Sequence, residues 1–213
     1  RCGNRGSDPV LRKTRIAVLV SGGGTNLQAL IDAQTKGILA SGEIVLVLSN
    51  KADAYALTRA EKAGIATATI LKKDFSFREA FEDRILSILK EHNIELVILA
   101  GFLSILGARF ISSYPKRILN VHPSLIPSFC GAGFYGLKVH EAALAYGVKV
   151  TGATVHFVNE IPDGGEIIMQ KAVYIDGGDT PESLQKKVMR EAEWVILPLS
   201  AEKISQEIMK GRE

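Results

Sequence analysis

IAVLVSGGGTN, residues 16–26, joins an unbroken apolar run to a glycine-rich loop near the start of the chain. A short apolar run bounded by glycines predicts a buried strand, and the apolar spacing that follows, at residues 26–35, predicts a helix. This alternation continues, with strands predicted at residues 44–48, 66–70, 96–100 and 118–121 and helices at residues 54–63 and 77–92. Fully apolar strands separated by helices predict a parallel sheet covered on both faces, a doubly wound α/β domain.

The last third of the chain departs from this pattern. Residues 148–158 and 166–175 are longer, partly alternating strands, and a turn at residues 162–165 links them. They predict an antiparallel pair that extends the otherwise parallel sheet. Thr180 and Pro181 then predict the start of a terminal helix, because Asp or Thr can cap a helix and proline is tolerated in its first turn.

Composition limits the class of protein. The 213 residues are 46% hydrophobic and 23% charged, which is typical of a globular chain, and residues 15–213 are predicted to form a single domain. The longest uncharged apolar stretch, residues 96–108, is shorter than the ~18 residues that cross a bilayer. Cys2 and Cys130 are too few for a disulfide scaffold. A net charge of +3 suits an anionic small ligand and gives no support to a nucleic-acid partner.

Residues 1–14 form a distinct segment. They include Arg1, Arg5, Arg12 and Lys13 but a single acid, Asp8, and they contain no apolar core. We expect a disordered basic stub. It is either the remnant of an organellar transit peptide or, as the alternative, a cloning scar or a basic tail with no targeting role.

The loop at residues 21–26 lies between the first strand and the first helix. Backbone amides freed by glycine beside a helix N-terminus form an anion site. The loop lacks the Lys-Ser/Thr end of a P-loop, and Leu27 stands at the third glycine position of a dinucleotide fingerprint. Ser49 and Asn50, after the second strand, offer no acid for a ribose diol of NAD. A phosphate monoester is therefore the expected ligand, and a tight turn with no ligand is the alternative.

Asn120 and His122 close the strand at residues 118–121. Alternation puts both side chains on one face, at the carboxyl edge where open α/β sheets bind ligands. An imidazole there can relay protons, and the amide can donate to a developing oxyanion. The alternative is a structural histidine that takes no part in chemistry.

Three further stretches identify a family. NVHPSLIP at 120–127, GATVHFV at 152–158 and DGG at 163–165 resemble the folate-dependent formyltransferase family. SGGGTNLQ at 21–28 and SNKADA at 49–54 narrow the resemblance to its phosphoribosylglycinamide formyltransferases. The resemblance implies a Rossmann-like fold and direct transfer of the formyl group of 10-formyltetrahydrofolate, through a tetrahedral intermediate, to the amine of glycinamide ribonucleotide in purine biosynthesis. It implies no metal.

The resemblance also implies roles for Asn120, His122 and Asp163 as a catalytic trio. Asn120 would donate to the oxyanion, while protonated His122 would supply a charged donor and then help to move the amine proton to the leaving nitrogen. Asp163 would orient that ring and favour its charged form. His156 either supports this site or is a packed strand histidine. Cys130 has no evident base partner and is expected to be a passive loop residue.

For the ribonucleotide, the resemblance implies phosphate contacts from Gly24, Thr25 and Asn26 and a ribose contact from Glu193. Glu193 has the spacing expected of the family's ribose-binding acid when residues are counted back from Pro198. Counted forward from Val188, it lies one residue too late. The alternatives are that Glu191 makes the contact or that a bulge in the helix shifts the register. The implied folate contacts are Arg78, Leu103, Ser104, Ile105, Leu106, Asn120, Asn159, Glu160, Ile161, Pro162 and Asp163.

Two departures bear on the source of the protein. Pro162 stands where the family usually has an aliphatic residue, and residues 128–136 are longer than in compact bacterial forms and closer to plant and cyanobacterial ones. Together with the basic stub, this favours a plastid protein, with the cytoplasm as the alternative. We expect small-molecule partners, no membrane contact, and a monomer or homodimer.

Competing functions remain open at this point. Formyltetrahydrofolate deformylase, a hydrolase, usually has His-Ser where Pro123 and Ser124 stand. Methionyl-tRNA formyltransferase would need a further basic domain to hold tRNA. A non-catalytic sugar-phosphate binding module would keep the fold and the glycine loop without the chemistry.

Overall fold

The computed structural model describes residues 12–212, so most of the predicted basic stub lies outside the described residues. Thr14, assigned above to the stub, is instead the first residue of β1, where it is buried and its hydroxyl donates to the carbonyl of Ser205 at 3.0 Å. The strands are β1 Thr14–Val20, β2 Gly42–Ser49, β3 Ala66–Thr69, β4 Leu96–Leu99, β5 Ile118–His122, β6 Val150–Phe157 and β7 Ile167–Tyr174. The helices are α1 Thr25–Thr35, α2 Tyr55–Lys62, α3 Arg78–Glu91, α4 Ala108–Ser113, α5 Leu137–Tyr146, α6 Pro181–Val188 and α7 Trp194–Lys210.

The seven strands form one sheet in the order β3-β2-β1-β4-β5-β6-β7. β1 to β5 pair in parallel, whereas β6 pairs antiparallel with β5 and β7 antiparallel with β6. The predicted α/β fold, mostly parallel with an antiparallel C-terminal extension, is therefore confirmed. Strand order reverses between β1 and β4, and the carboxyl ends of strands at such a point are where open sheets bind ligands.

Both faces of the sheet are covered, which explains the apolar run in β1. Ile16, Val18 and Val20 belong to one buried cluster, with α1 and α7, and Ala17 and Leu19 belong to the other, with α3 and α4. A strand that alternates between two apolar layers has no polar face.

The helices largely match their predicted positions. α6 begins as expected, because Thr180 caps it by accepting a hydrogen bond from the amide of Ser183 at 3.2 Å and Pro181 occupies the first helical position. α5, which lies between Gly136 and Gly147, was not predicted. No helix in residues 12–212 combines the length and the apolar character that a bilayer crossing requires.

Candidate active site

A cavity of about 690 Å³ opens at the carboxyl edge of β1, β4 and β5. Its size is ordinary for a small-molecule site, about 300–1,000 Å³. Eleven of the candidate residues lie along it, and they come from five separate stretches of the chain. They are Gly24, Thr25, Asn26, Leu103, Ser104, Ile105, Asn120, His122, Pro162, Asp163 and Glu193.

Asp163 stands at the centre of the predicted catalytic trio. Its Oδ2 accepts a hydrogen bond from the amide of Gly131 at 2.9 Å and lies 3.4 Å from His122 Nδ1. Its Oδ1 lies 3.5 Å from Asn120 Nδ2 and 3.6 Å from His156 Nε2. One carboxylate thus touches all three polar side chains at this end of the cavity.

The ring of His122 is buried, and both of its nitrogens face acceptors. Nε2 lies 2.8 Å from the carbonyl oxygen of Phe129, which can only accept, so Nε2 carries a hydrogen. Nδ1 faces the Asp163 carboxylate at 3.4 Å. This environment suits the imidazolium, because only the charged ring offers a hydrogen to both acceptors.

The hydrogen bonds of His156 and Asn120 fix each other. His156 Nδ1 donates to the carbonyl of Phe157 at 2.9 Å, which leaves Nε2 to accept from Asn120 Nδ2 at 3.2 Å. The second hydrogen of that amide is directed toward Asp163 at 3.5 Å, a long contact that leaves it available to a ligand oxygen. His156 therefore orients the Asn120 amide.

A tight turn brings Asp163 to this position. The amide of Gly164 donates to the carbonyl of Ile161 at 2.9 Å, and Asp163 adopts a φ of 55°. Gly165 admits no other residue, because a β-carbon there would overlap the carbonyl oxygen of Phe157. Burial acts to raise the pKa of Asp163, but the close contact with the His156 ring, the hydrogen bond from the Gly131 amide and the charge of His122 hold that pKa below its ordinary value.

The glycine loop forms the other end of the cavity. Gly24, with φ 73°, precedes α1 without a side-chain cap, and the first turn of α1 contains no acidic residue. Ala56 donates its amide to the Gly22 carbonyl at 3.1 Å, and Arg59 donates to the Gly23 carbonyl at 2.8 Å. These two contacts fix the loop against α2. The first amides of α1 have no partner within the helix, so they are available to an anion.

Glu193 reaches the cavity through a helix irregularity. The segment Met189–Glu193 is a π-helical turn between α6 and α7, and it adds one residue to the helix register. That turn accounts for the one-residue offset seen in the sequence: Glu193 is 5% exposed and lines the cavity, whereas Glu191 pairs with Arg190 at 3.0 Å on the surface. Burial raises the pKa of Glu193 to about 7, against the lowering effect of a 2.8 Å hydrogen bond from Asn26.

A hydrogen-bond relay ties the turn after β4 to the ends of β1 and β2. Ser21 Oγ accepts from the amide of Leu103 at 2.8 Å and donates to Asn50 Oδ1 at 2.6 Å. Asn50 Nδ2 donates to Ser104 Oγ at 3.0 Å. Asn50, which offers no acid to a ribose, therefore holds the turn that carries the exposed side chains of Leu103 and Ile105.

Five predicted folate contacts do not line the cavity. Leu106 is 6% exposed and packs in the core, so a ligand contact from it would have to use its backbone. Arg78 lies at the start of α3, where its Nε approaches the buried Glu82 at 3.6 Å. The loop of Asn159, Glu160 and Ile161 leads to Asp163 but lies outside the lining.

Several lining residues were not predicted from the sequence, among them His140, Gln185 and Met189. His140 lies on α5, is 1% exposed, and finds no partner for either ring nitrogen among the described residues. Burial, and then the charge of His122, lower its pKa to about 4, so it is neutral. No sequence pattern pointed to His140, because the helix that carries it, α5, was itself not predicted.

The Cys130 thiol is not activated as a nucleophile. Burial, and then the charge of Asp163, raise the pKa of the Cys130 thiol, which disfavours a nucleophilic thiolate. No group of three His, Cys, Asp or Glu side chains in the described range is placed to hold a metal ion.

Comparison with known proteins gives consistent relatives. The trifunctional purine biosynthetic protein adenosine-3 of Gallus gallus is 46% identical over 193 residues, which are 91% of this chain but 18% of that protein. The chloroplastic phosphoribosylglycinamide formyltransferase of Arabidopsis thaliana is 36% identical over 209 residues, 98% of this chain and 71% of that protein. The crystal structure of glycinamide ribonucleotide transformylase 1 from Symbiobacterium toebii superposes with a TM-score of 0.87 at 38% identity, covering 95% of this chain and 93% of that one.

A family model places the whole cavity within one domain. The model described as formyl transferase matches residues 14–199, which contain all seven strands of the described sheet and every cavity residue named above. The match extends over most of the chain and agrees with both the fold and the relatives, and the chain therefore belongs to the formyl transferase family.

Proposed function

We propose that the protein is a phosphoribosylglycinamide formyltransferase, which moves the formyl group of 10-formyltetrahydrofolate to the amine of glycinamide ribonucleotide in purine biosynthesis. One observation carries the proposal: the Asn120, His122 and Asp163 cluster and the uncapped glycine loop share one cavity. A donor cluster at one end and an anion site at the other suit an acyl transfer to a phosphorylated amine. The names of the relatives agree with this reaction.

The cavity has a fitting surface for each substrate. Gly24, Thr25 and Asn26 would hold the ribonucleotide phosphate, and Glu193 would lie against the ribose. The exposed apolar side chains of Leu103 and Ile105 would pack against the flat ring system of the folate, with Pro162 and Asp163 also lining the cavity. When bound, 10-formyltetrahydrofolate supplies the formyl carbon.

Asn120 would stabilise the charge that develops when the amine attacks. Its amide nitrogen is held by His156 at 3.2 Å, and its second hydrogen is only weakly engaged by Asp163 at 3.5 Å. A donor fixed before the reaction needs no reorganisation, and one such donor contributes about 3–4 kcal/mol to lowering a barrier of this kind.

His122 would hold and move the proton at Nδ1. Its Nε2 is committed to the Phe129 carbonyl, so Nδ1 is the ring nitrogen that faces both Asp163 and the cavity. A charged Nδ1–H donor first supports the oxyanion, and the ring then helps to transfer the amine proton to the leaving nitrogen. Asp163, held ionised by its neighbours, stabilises the charged ring throughout.

The test is a spectrophotometric assay of tetrahydrofolate release, run with and without glycinamide ribonucleotide. Release that requires the amine supports the transferase. Release without the amine would identify a hydrolase, and no release from the folded protein under either condition would leave a binding module.

We further propose that the protein works in a plastid. The support is the chloroplastic relative, which matches 98% of this chain, together with the plant-like loop at residues 128–136. Fractionation of cells of the source organism, probed with an antibody to this chain, tests the proposal: recovery with the stroma supports it, and recovery with the cytosol contradicts it.

A further inference from the structure

His122 and Asp163, called here the catalytic pair, are both held by backbone groups of a single loop, residues 128–131. The carbonyl of Phe129 accepts from His122 Nε2 at 2.8 Å, and the amide of Gly131 donates to Asp163 Oδ2 at 2.9 Å. Two positions of one loop therefore set the orientation of both members of the pair.

The backbone at Phe129 adopts a conformation that a phenylalanine does not favour. Its φ is 48°, in the left-handed region where a β-carbon crowds the backbone. Such a conformation persists only when the surroundings enforce it. Ser124 fixes the start of the loop, because its buried hydroxyl donates to the Ser128 carbonyl at 2.6 Å, but the turn at Phe129 itself needs a further restraint.

Two aromatic rings supply that restraint. The half-buried Phe129 ring packs edge-to-face on Phe134, with centroids 6.3 Å apart, and on Tyr146, with centroids 6.0 Å apart. Edge-to-face pairs at these separations are attractive. Tyr146 ends α5, is 80% exposed, and does not line the cavity.

We propose that Phe129 is a positioning residue for the transfer reaction. Its ring, clamped by Phe134 and Tyr146, keeps its own carbonyl aimed at His122 Nε2, so that Nδ1 is the ring nitrogen presented to Asp163 and the substrate. The catalytic part of this inference rests on the proposed function, whereas the orientation of the His122 ring does not.

A role in packing alone makes a different prediction from a role in positioning. If the ring only fills space, the alanine and glycine variants should lose stability while kcat and the His122 spectrum stay unchanged, because the direction of the Phe129 carbonyl would then have no function. If the left-handed carbonyl matters, glycine is the milder change, because it adopts that φ without a penalty and alanine does not.

The experiment compares Phe129→Ala, Phe129→Gly and Phe129→Tyr in the full chain, with Tyr146→Ala as a surface variant and Tyr146→Phe as its control. The readouts are kcat, its pH profile, both KM values, and ¹⁵N NMR of the His122 ring in the ligand-free protein. We expect Phe129→Ala to lower kcat about tenfold, a small part of what a general acid–base contributes, with an altered pH profile and nearly unchanged KM values. The kcat of Phe129→Gly should fall between those of the alanine variant and wild type. Phe129→Tyr and Tyr146→Phe should have the wild-type kcat and His122 spectrum. Tyr146→Ala should lower kcat by about threefold or less, and its spectrum should show a partial loss of the His122 form that carries hydrogen on Nε2.

Three outcomes would overturn the inference. They are an unchanged kcat, pH profile and His122 spectrum in Phe129→Ala, a glycine variant worse than the alanine variant, and a Tyr146→Ala protein identical to wild type in both kcat and spectrum. If wild type does not transfer formyl groups, the proposed function fails, and the NMR spectra of the same variants still decide whether Phe129 orients His122.

Discussion

Asp163, which is partly buried, and Glu193, which is 5% exposed, are carboxyl groups in the same cavity, and their pKa values move in opposite directions. Asp163 is held below its ordinary pKa by a backbone amide at 2.9 Å and by two histidine rings within 3.6 Å. Glu193 has a hydrogen bond from Asn26 at 2.8 Å as its one hydrogen bond among the described residues, and burial raises its pKa to about 7.

The difference shows that the partners of a carboxyl group, together with the depth of its burial, decide its charge. Desolvation acts to raise the pKa at both positions, and it prevails only at Glu193, where one neutral amide opposes it. The Asp163 end of the cavity therefore holds a fixed negative charge, while the Glu193 end changes charge near neutral pH.

The largest expected effect removes the fixed charge. Asp163→Asn keeps the shape of the side chain but leaves the charged His122 ring without its anion, so kcat should fall about 10³-fold. The matched control, Asp176→Asn, changes an exposed carboxylate that pairs with Lys187 at 2.7 Å and should keep the wild-type rate. Single-turnover rates at saturating substrates provide the measurement.

Adding His122→Ala to Asp163→Asn sharpens this result. Each single change should cost orders of magnitude, but the double variant should lose little more than the worse single variant, because the two groups act as a unit. Simple multiplication of the two losses would show that the pair does not work together.

The variant Glu193→Gln tests the raised pKa of Glu193 through the pH dependence of the free energy of unfolding. The native pKa, about 7, lies above the ordinary 4.5, so the native state binds the proton more tightly than the unfolded state does. Its contribution to stability is complete below the unfolded pKa and is lost as the pH rises through about 7. The glutamine side chain does not ionise, so the variant does not lose this stability. Its free energy of unfolding should match that of wild type near pH 4 and exceed it by on the order of 2 to 3 kcal/mol near pH 8.

Urea unfolding of both proteins across this pH range provides the measurement, with Glu191→Gln as the control. The Glu191 side chain is 43% exposed and pairs with Arg190, so its variant should follow the wild-type curve at every pH. A stability difference between Glu193→Gln and wild type that does not grow with pH would contradict the buried, proton-binding state of Glu193.

Gly24→Ala tests whether the ribonucleotide end has a rigid backbone. A β-carbon at Gly24 would lie 2.6 Å from the β-carbon of Ala56, and φ is 73°. We expect a loss of about 2 kcal/mol in unfolding free energy, measured by urea titration. In the same loop, Gly23→Ala meets nothing within 4 Å and should cost clearly less, so equal losses would argue against this loop geometry.

The smallest effect concerns the link between Asn26 and Glu193. Asn26→Ala removes the donor to Glu193 and a predicted phosphate contact, so KM for glycinamide ribonucleotide should rise about tenfold, while KM for the formyl folate changes by less than about twofold. Steady-state kinetics with each substrate varied in turn give the two KM values. Equal rises in the two KM values would contradict the separation of the cavity into two ends.

Part of this site was readable in the sequence because it depends on local periodicity. Alternation along β5 places Asn120 and His122 together at the cavity, as predicted. The offset between Val188 and Pro198 correctly raised the possibility of a helix bulge, and the π-helical turn supplies it. The strands of the sheet followed from their unbroken apolar runs.

The remaining features depend on long-range contacts that no side-chain pattern encodes. The acceptor for His122 is the Phe129 carbonyl, and the donor to Asp163 is the Gly131 amide, both backbone groups that every residue type carries. α5 was missed because a glycine-rich loop precedes it, and with it the buried His140. The roles of these backbone groups can be identified only from the three-dimensional structure, which shows the loop at residues 128–131 beside His122 and Asp163.

The most direct test of the account measures both products of one reaction: tetrahydrofolate by absorbance and formylated glycinamide ribonucleotide by mass spectrometry. Wild type should form the two products in equal amounts, and Asp163→Asn should form both about 10³-fold more slowly, still in equal amounts. Tetrahydrofolate released in excess over the formylated ribonucleotide, or an Asp163→Asn protein as fast as wild type, would contradict it.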